Sequence, residues 1–172
     1  MGNTKPPLAA GRPNDFQTPP YALDPLLPYI KKDWHIWECA CGKGYLVKRF
    51  EELGYKVTGT DIATGQDFFI YEPDEYDCIV TNPPFRFKGQ FWQRCYELGK
   101  PFALLMPLTA LETKSRQQLM KRYGVEIILL DRRINFETPN MVNNSSSWFA
   151  SAWFTSGLNI GAQLNFASVE VW

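Results

Sequence analysis

The sequence predicts an α/β protein whose mostly parallel sheet is covered by helices on both faces. Short apolar runs alternate with helix-like segments of about a dozen residues, which is typical of right-handed crossovers between parallel strands. The alternation breaks after residue 131, where two strand-like runs follow with no helix between them, so an antiparallel C-terminal strand or hairpin is expected. A chain of 172 residues suits one domain with a sizeable core.

The expected elements can be placed along the chain. Residues 1–15 are rich in Pro, Gly and Asn and predict a flexible arm, so the single domain is expected over residues 16–172. Strands are expected at 35–40, 56–61, 67–72, 77–81, 101–107, 125–131, 145–155 and 162–172, and helices at 21–31, 43–54, 89–99 and 110–124.

Composition narrows the class of protein. No apolar run approaches the roughly 20 residues that span a bilayer, and the first residues lack a signal peptide, so a cytoplasmic protein without a membrane segment is expected. Four cysteines and a single histidine favour reduced, packed thiols over a metal site. Because 18 Lys and Arg residues balance 18 Asp and Glu residues, a polyanion would have to be held by a local patch.

The segment Glu38–Gly44 ends the first predicted strand and opens the first long helix. Its glycines, Gly42 and Gly44, allow a ligand to approach the backbone closely and expose helix N-terminal N–H groups. Neither a phosphate-binding loop nor a dinucleotide fingerprint fits, since Gly44 follows Lys43 and Val47 stands where a third glycine is needed. A plain glycine-bearing turn is the alternative.

Two acidic residues follow at the next strand. Asp61 ends that strand, where a carboxylate can accept hydrogen bonds from ribose hydroxyls, although an ordinary turn or helix-capping role is also open. Asp67 can accept from an exocyclic amine, and Phe68 offers an apolar neighbour for an adenine ring. Together these residues suggest an adenosine-bearing ligand that needs no pyrophosphate.

The segment Asn82-Pro83-Pro84-Phe85 forms a stiff corner after a buried strand. Such a corner can hold two acceptors, the Asn82 side-chain oxygen and the Pro83 carbonyl, at a fixed separation against one NH₂ group. Accepting both N–H bonds of an exocyclic amine orients its lone pair. Phe85 then offers a face for a planar base. The alternative is a proline turn followed by a core phenylalanine.

The motifs Glu38–Gly44 and Asn82–Phe85 together resemble those of S-adenosylmethionine-dependent amino-methyltransferases, in particular small phage and prophage adenine-N6 DNA methyltransferases. The resemblance covers about Phe16 to Leu108. It implies a Rossmann-like class I methyltransferase fold, S-adenosylmethionine as cofactor, direct methyl transfer without a metal, and nucleic acid as partner, DNA before RNA.

The resemblance also assigns residues. It places a cofactor against Thr18, Pro19, Glu38, Cys39, Gly42, Gly44, Asp61, Asp67 and Phe68, and the target amine against Asn82, Pro83, Pro84 and Phe85. Phe136 is a candidate second stacking residue, with a buried loop aromatic as the alternative. Arg86, Lys88, Arg132 and Arg133 are candidate phosphate contacts, although exposed cations are commonly only solvated.

Alternatives remain for the substrate. The same paired acceptors suit an adenine in RNA, a glutamine side chain of a protein, or the N4 amine of cytosine. A non-catalytic subunit that supports an active partner is the alternative from another class. The chain is too short for a separate target-recognition domain beside the predicted domain, so weak or short sequence preference is expected.

Overall fold

The computed structural model describes residues 16–137 and 149–170. The arm predicted for residues 1–15 lies outside the described residues, as do the first positions of the strand predicted at 145–155.

The described residues form one seven-stranded sheet in the order β2-β1-β3-β4-β6-β5-β7. The strands are β1 (His35–Glu38), β2 (Lys56–Gly59), β3 (Cys78–Thr81), β4 (Phe102–Pro107), β5 (Glu126–Leu130), β6 (Ser151–Ser156) and β7 (Leu164–Ala167). Strands β2, β1, β3 and β4 pair in parallel, whereas β6 is antiparallel to both β4 and β5. Strand β7 lies beyond β5 and is parallel to it. The predicted α/β architecture with an antiparallel C-terminal strand is confirmed.

Among the described residues, three α-helices connect the strands: α1 (Tyr45–Glu52), α2 (Lys88–Leu98) and α3 (Lys114–Tyr123). The helix predicted at 21–31 is wrong. Two 3-10 helices, Pro20–Leu23 and Leu27–Tyr29, replace it, because the ring nitrogens of Pro25 and Pro28 cannot donate to a continuous α-helix. Further 3-10 turns lie at Ile62–Thr64, Phe85–Phe87 and Leu108–Glu112.

The strand predicted at 67–72 is also wrong, because the segment is a turn organised by Asp67. The main-chain carbonyl of Asp67 accepts from the N–H groups of Ile70 at 3.0 Å and Tyr71 at 2.8 Å. Its Oδ1 accepts from the N–H of Phe69 at 3.0 Å. An aspartate that bonds the backbone two residues on favours a turn over an extended strand, and it overrides the aromatic content of the segment.

Two apolar clusters lie on the two faces of the sheet, since successive side chains of a strand point to opposite faces. Trp153 belongs to one cluster and donates its indole N–H to the carbonyl of Ala22 at 2.8 Å. Trp37 belongs to the other and donates to Thr60 Oγ1 at 2.8 Å. Within the described ranges, no helix is long and apolar enough to cross a membrane.

Candidate active site

The carboxyl ends of the parallel strands β1, β2, β3 and β4 meet at one edge of the sheet, and the predicted glycine loop lies there between β1 and α1. The loop is closed by a hydrogen bond from Gly44 N–H to the carbonyl of Cys41 at 2.7 Å. Gly42 and Gly44 have φ of +51° and +79°, in the left-handed region that favours glycine. Helix α1 therefore begins at Tyr45, two residues later than predicted, with Gly44 as its N-cap.

Glu38 ends β1 and is 2% exposed. Burial raises the pKa of its carboxyl group to about 8, against the lowering effect of the hydrogen bond from the Ala40 N–H, which lies 3.1 Å from Glu38 Oε1. The negative charge of Asp61 adds to the increase. Glu38 is therefore mostly protonated at neutral pH and can donate a hydrogen bond as well as accept one.

Cys39 follows Glu38 and packs in the Trp37 cluster. Burial raises the pKa of its thiol well above the ordinary value, so the thiol is neutral. Because its side chain is buried in the core, the thiol is not available to a ligand.

Asp61 holds the glycine loop and the turn after β2 together. Its Oδ2 accepts from the Gly42 N–H at 2.9 Å, and its Oδ1 accepts from the Ala63 N–H at 2.8 Å. The helix-capping alternative is thus correct in part, since Asp61 caps the 3-10 turn Ile62–Thr64. A carboxylate oxygen has more than one acceptor position, so both oxygens can still receive hydroxyl groups.

Phe68 lies in the turn at Asp67 and packs in the Trp37 cluster. Phe68 is 2% exposed and stacks on Phe91 with 4.5 Å between ring centroids. One face of the Phe68 ring is therefore already covered, and its predicted contact with adenine stays a prediction. Sequence reasoning missed Ile62, which directly follows Asp61 and is 70% exposed. An apolar side chain left in solvent beside a fixed carboxylate is a second candidate neighbour for a flat ring.

Asn82 follows β3 directly, at the carboxyl end of the strand. Its side-chain Oδ1 is buried and has no hydrogen-bond partner in the described part of the chain. A buried acceptor without a donor costs roughly 1–3 kcal/mol, so a bound group that donates a hydrogen bond to this oxygen would be stabilised there. Pro83 is buried, Pro84 is half-buried, and Phe85 begins the 3-10 turn Phe85–Phe87.

The ring of Phe85 belongs to a cluster of four phenylalanines that we call the Phe cluster: Phe16, Phe85, Phe136 and Phe149. Phe16 stacks on Phe85 at 5.4 Å between centroids, and Phe136 stacks on Phe149 at 5.7 Å. The two pairs meet edge to face. The structure brings Phe136 to Phe85, but Phe136 is 3% exposed, which fits the alternative of a buried loop aromatic, and its stacking role stays a prediction. Sequence reasoning missed Phe16 and Phe149.

Residues Phe16 to Thr18, which we call the strap, cross the site between the Phe cluster and the glycine loop. Gln17 and Glu137 exchange two main-chain hydrogen bonds of 2.8 and 3.0 Å. The Gln17 side-chain Oε1 accepts from the Lys43 N–H at 2.8 Å. Thr18 is 6% exposed, and Pro19 is half-buried and precedes the first 3-10 turn. The strap thus connects the predicted cofactor loop to the predicted target site. The sequence places Gln17 in the segment that resembles a cofactor-binding one, but assigns a role there to Thr18 and Pro19 only.

The predicted phosphate contacts lie in two places. The Arg86 guanidinium lies 4.3 Å from the Phe87 ring centroid, and Lys88 is half-buried with its pKa lowered by burial and by the charge of Arg116. Both residues lie directly beyond Phe85. Arg132 and Arg133 follow β5, three strands away from β3, or about 14 Å at ordinary strand spacing. Arg132 is exposed and lies 3.8 Å from the Asp131 carboxylate.

No protein-family model and no curated protein sequence matches this sequence. Its fold is similar to those of several solved structures. One is described as a class I S-adenosylmethionine-dependent methyltransferase from Listeria monocytogenes, with a TM-score of 0.55, 14% identity, and coverage of 93% of this chain and 68% of that one. A dimethyladenosine transferase from Plasmodium falciparum has a TM-score of 0.54 and 13% identity over 81% of this chain and 62% of that one.

A methyltransferase subunit of a type I restriction-modification system from Streptococcus thermophilus has a TM-score of 0.51 and 13% identity. This similarity covers 91% of the present chain and 48% of the subunit, so the chain spans about half the length of that protein. At these identities the similarity establishes the fold, and the predicted Rossmann-like class I methyltransferase fold is confirmed.

Proposed function

We propose that the chain is an S-adenosylmethionine-dependent methyltransferase that acts on the exocyclic N6 amine of adenine in DNA. The fold supports the reaction class, and two of the similar structures are a dimethyladenosine transferase and a restriction-modification methyltransferase subunit. The observation that carries the proposal is the buried Asn82 Oδ1, which lacks a donor among the described residues and lies at the end of a strand beside an aromatic cluster.

The residues at the ends of β1 and β2 fit the proposed cofactor. Gly42 and Gly44 keep the loop backbone free of side chains, and Asp61 presents a fixed carboxylate with spare acceptor positions for ribose hydroxyls. Ile62 and the Asp67 turn would border the adenine, while Thr18, Pro19 and Glu38 would border the methionine moiety. When bound, S-adenosylmethionine supplies an electrophilic methyl group.

Asn82 and Pro83 prepare the amine for attack on that methyl group. The Asn82 Oδ1 and the Pro83 carbonyl each accept one N–H of the target NH₂ group, which draws electron density onto nitrogen and orients its lone pair. Pro83 and Pro84 limit backbone rotation at the corner, so the two acceptors keep their separation. Asn82 is neutral and has no basic group, so it orients the amine and does not take its proton.

Phe85 and the cations beyond it support a nucleic-acid substrate. A base stacked on an aromatic side chain gains roughly 1–3 kcal/mol, and Arg86 and Lys88 follow Phe85 closely enough to meet the adjoining phosphates. In a duplex the adenine must leave the base stack, at a cost of a few kcal/mol, whereas a single strand avoids this cost.

The test is transfer of a methyl label from S-adenosylmethionine to unmethylated duplex DNA, single-stranded DNA and RNA in parallel. Digestion to nucleosides followed by mass spectrometry identifies the product. We expect N6-methyladenine from DNA. Label in RNA alone would mean that the enzyme carries out the proposed reaction on RNA instead of DNA. Label in a protein glutamine or in N4-methylcytosine would contradict the assignment of adenine as the target.

A further inference from the structure

The Phe cluster is closed around Phe85. The six centroid distances among its four rings all lie between 5.3 and 6.2 Å. A flat base inserted between two parallel rings needs about 7 Å between them, because stacked carbon atoms approach to about 3.5 Å. The Phe16 and Phe85 rings are only 5.4 Å apart and inclined by 27°, so no base fits between them as they stand.

The nearby acceptor is covered as well. Asn82 Oδ1 is buried although it has no donor in the described residues, so an amine that reaches it must enter space that protein atoms now fill. Phe16 is the ring that lies parallel to Phe85, the residue three positions after Asn82. Its flat ring therefore resembles a stacked base in shape and in placement.

Apart from the ring contacts of Phe16, the strap is held by few hydrogen bonds among the described residues. The described contacts of Gln17 are its paired main-chain bonds with Glu137 and the side-chain bond with Lys43 N–H. Within residues 16–137 and 149–170, Gln17 and Glu137 form the one isolated β-bridge between the two segments. Displacing the strap breaks these bonds without unpairing any strand of the sheet.

We infer that Phe16 takes the place of the target base on Phe85, and that the strap moves outward when a nucleic acid delivers its base to Asn82. This inference rests on the proposed function. Phe16 is then an internal competitor of the substrate, and each bound target must replace the stacking of Phe16 with its own.

Affinity for a labelled single-stranded oligo(dA) tests this competition. Fluorescence anisotropy in the presence of S-adenosylhomocysteine compares the wild type with Phe16→Ala and Phe16→Leu, all checked for folding by circular dichroism. We expect about fivefold tighter binding by Phe16→Ala, since an aromatic pair contributes roughly 1 kcal/mol, and a smaller gain for Phe16→Leu. The gain should vanish when Phe85→Ala is added to Phe16→Ala.

Tyr123→Ala is the matched control, because Tyr123 is also part of a stacked pair, with Tyr96, and belongs to α3. It should leave the affinity for oligo(dA) unchanged. Unchanged or weaker binding by Phe16→Ala would overturn the inference. Weaker binding would mean that Phe16 contacts the bound base and contributes to its affinity. If every variant binds S-adenosylhomocysteine in calorimetry but none binds oligo(dA), the nucleic-acid assignment fails, and the inference fails with it.

Hydrogen exchange reports the movement directly. The N–H groups of Gln17 and Glu137 bond to each other's carbonyl groups, so both should be protected in the free protein. Saturation with oligo(dA) should accelerate their exchange. Slower exchange on binding would show that the strap closes further over the substrate and would contradict the inference.

Discussion

At the scale of single residues, the site combines a neutral buried acid, Glu38, with an amide oxygen, Asn82 Oδ1, that has no donor in the part of the chain that the structure describes. The resemblance of their motifs to those of amino-methyltransferases predicts that Glu38 and Asn82 belong to the site. It does not predict their physical state. The burial of Glu38, and the lack of a donor to Asn82 Oδ1 among the described residues, depend on how the chain folds around these side chains, so they are visible only in the folded molecule.

The stability of the protein should fall as the pH rises from about 5 to about 8. The carboxyl pKa of Glu38 is raised to about 8 in the folded state from an unfolded value near 4.5, so the folded state binds more protons in this window. Stability from this group is fully present below pH 4.5 and is lost toward pH 8. Each pKa unit corresponds to about 1.4 kcal/mol, so the loss amounts to a few kcal/mol.

Urea unfolding between pH 5 and 8 measures this effect, with Glu38→Gln as the comparison. The amide of glutamine does not titrate, so the difference in free energy of unfolding between the two proteins isolates Glu38 from other groups such as His35. If both proteins have the same pH dependence, Glu38 is not protonated in the folded state.

At the scale of elements, the glycine loop is partly predictable. The glycines after β1 predict a turn with close ligand approach, and Gly42 and Gly44 do adopt positive φ. The docking of Gln17 on this loop could not be predicted, because it pairs positions 26 residues apart with no shared periodicity. At Asp67 the sequence-based prediction is wrong. The aromatic residues predict a strand, but the hydrogen bond from the Phe69 N–H to the Asp67 side chain favours a turn.

Gly42→Ala should disturb the strap, whereas Gly44→Ala should not. Both substitutions place a side chain at positive φ and cost about 1 kcal/mol in stability. A Cβ at position 42 would lie 2.6 Å from Gln17 Oε1, whereas a Cβ at position 44 would meet nothing within 4 Å. Hydrogen exchange of the Lys43 N–H, the partner of Gln17, should therefore accelerate in Gly42→Ala alone. Equal acceleration in both variants would mean that backbone strain, and not Gln17, controls the loop.

At the scale of the whole molecule, the alternation of strands and helices predicts the class of fold but not the strand order. Strand β6 inserts between β4 and β5, and that placement depends on pairings across the chain, such as Met106 with Ala152. The Phe cluster likewise depends on contacts between distant parts of the chain. Phe16, Phe85, Phe136 and Phe149 come from four separate segments, and only the folded sheet brings them together.

The single predicted domain should unfold in one transition even when either face of its core is weakened. Trp37→Phe and Trp153→Phe each replace a buried indole by a smaller ring and remove an indole hydrogen bond, at about 2–3 kcal/mol. Because β1 and β6 are three strands apart, the two losses should add within about 0.5 kcal/mol. Denaturation followed by near- and far-ultraviolet circular dichroism checks this. Two separated transitions would contradict a single cooperative domain.

The role of Asn82 is tested most directly by single-turnover methyl transfer to DNA at saturating S-adenosylmethionine. Asn82→Ala removes the acceptor of the amine and should lower the rate about 10²–10³-fold, the range seen when one preorganised polar group is removed from an active site. Asn82→Asp keeps an acceptor and should retain more activity than Asn82→Ala, and both should bind S-adenosylhomocysteine as the wild type does. A rate for Asn82→Ala within fivefold of the wild type would show that Asn82 does not hold the target amine.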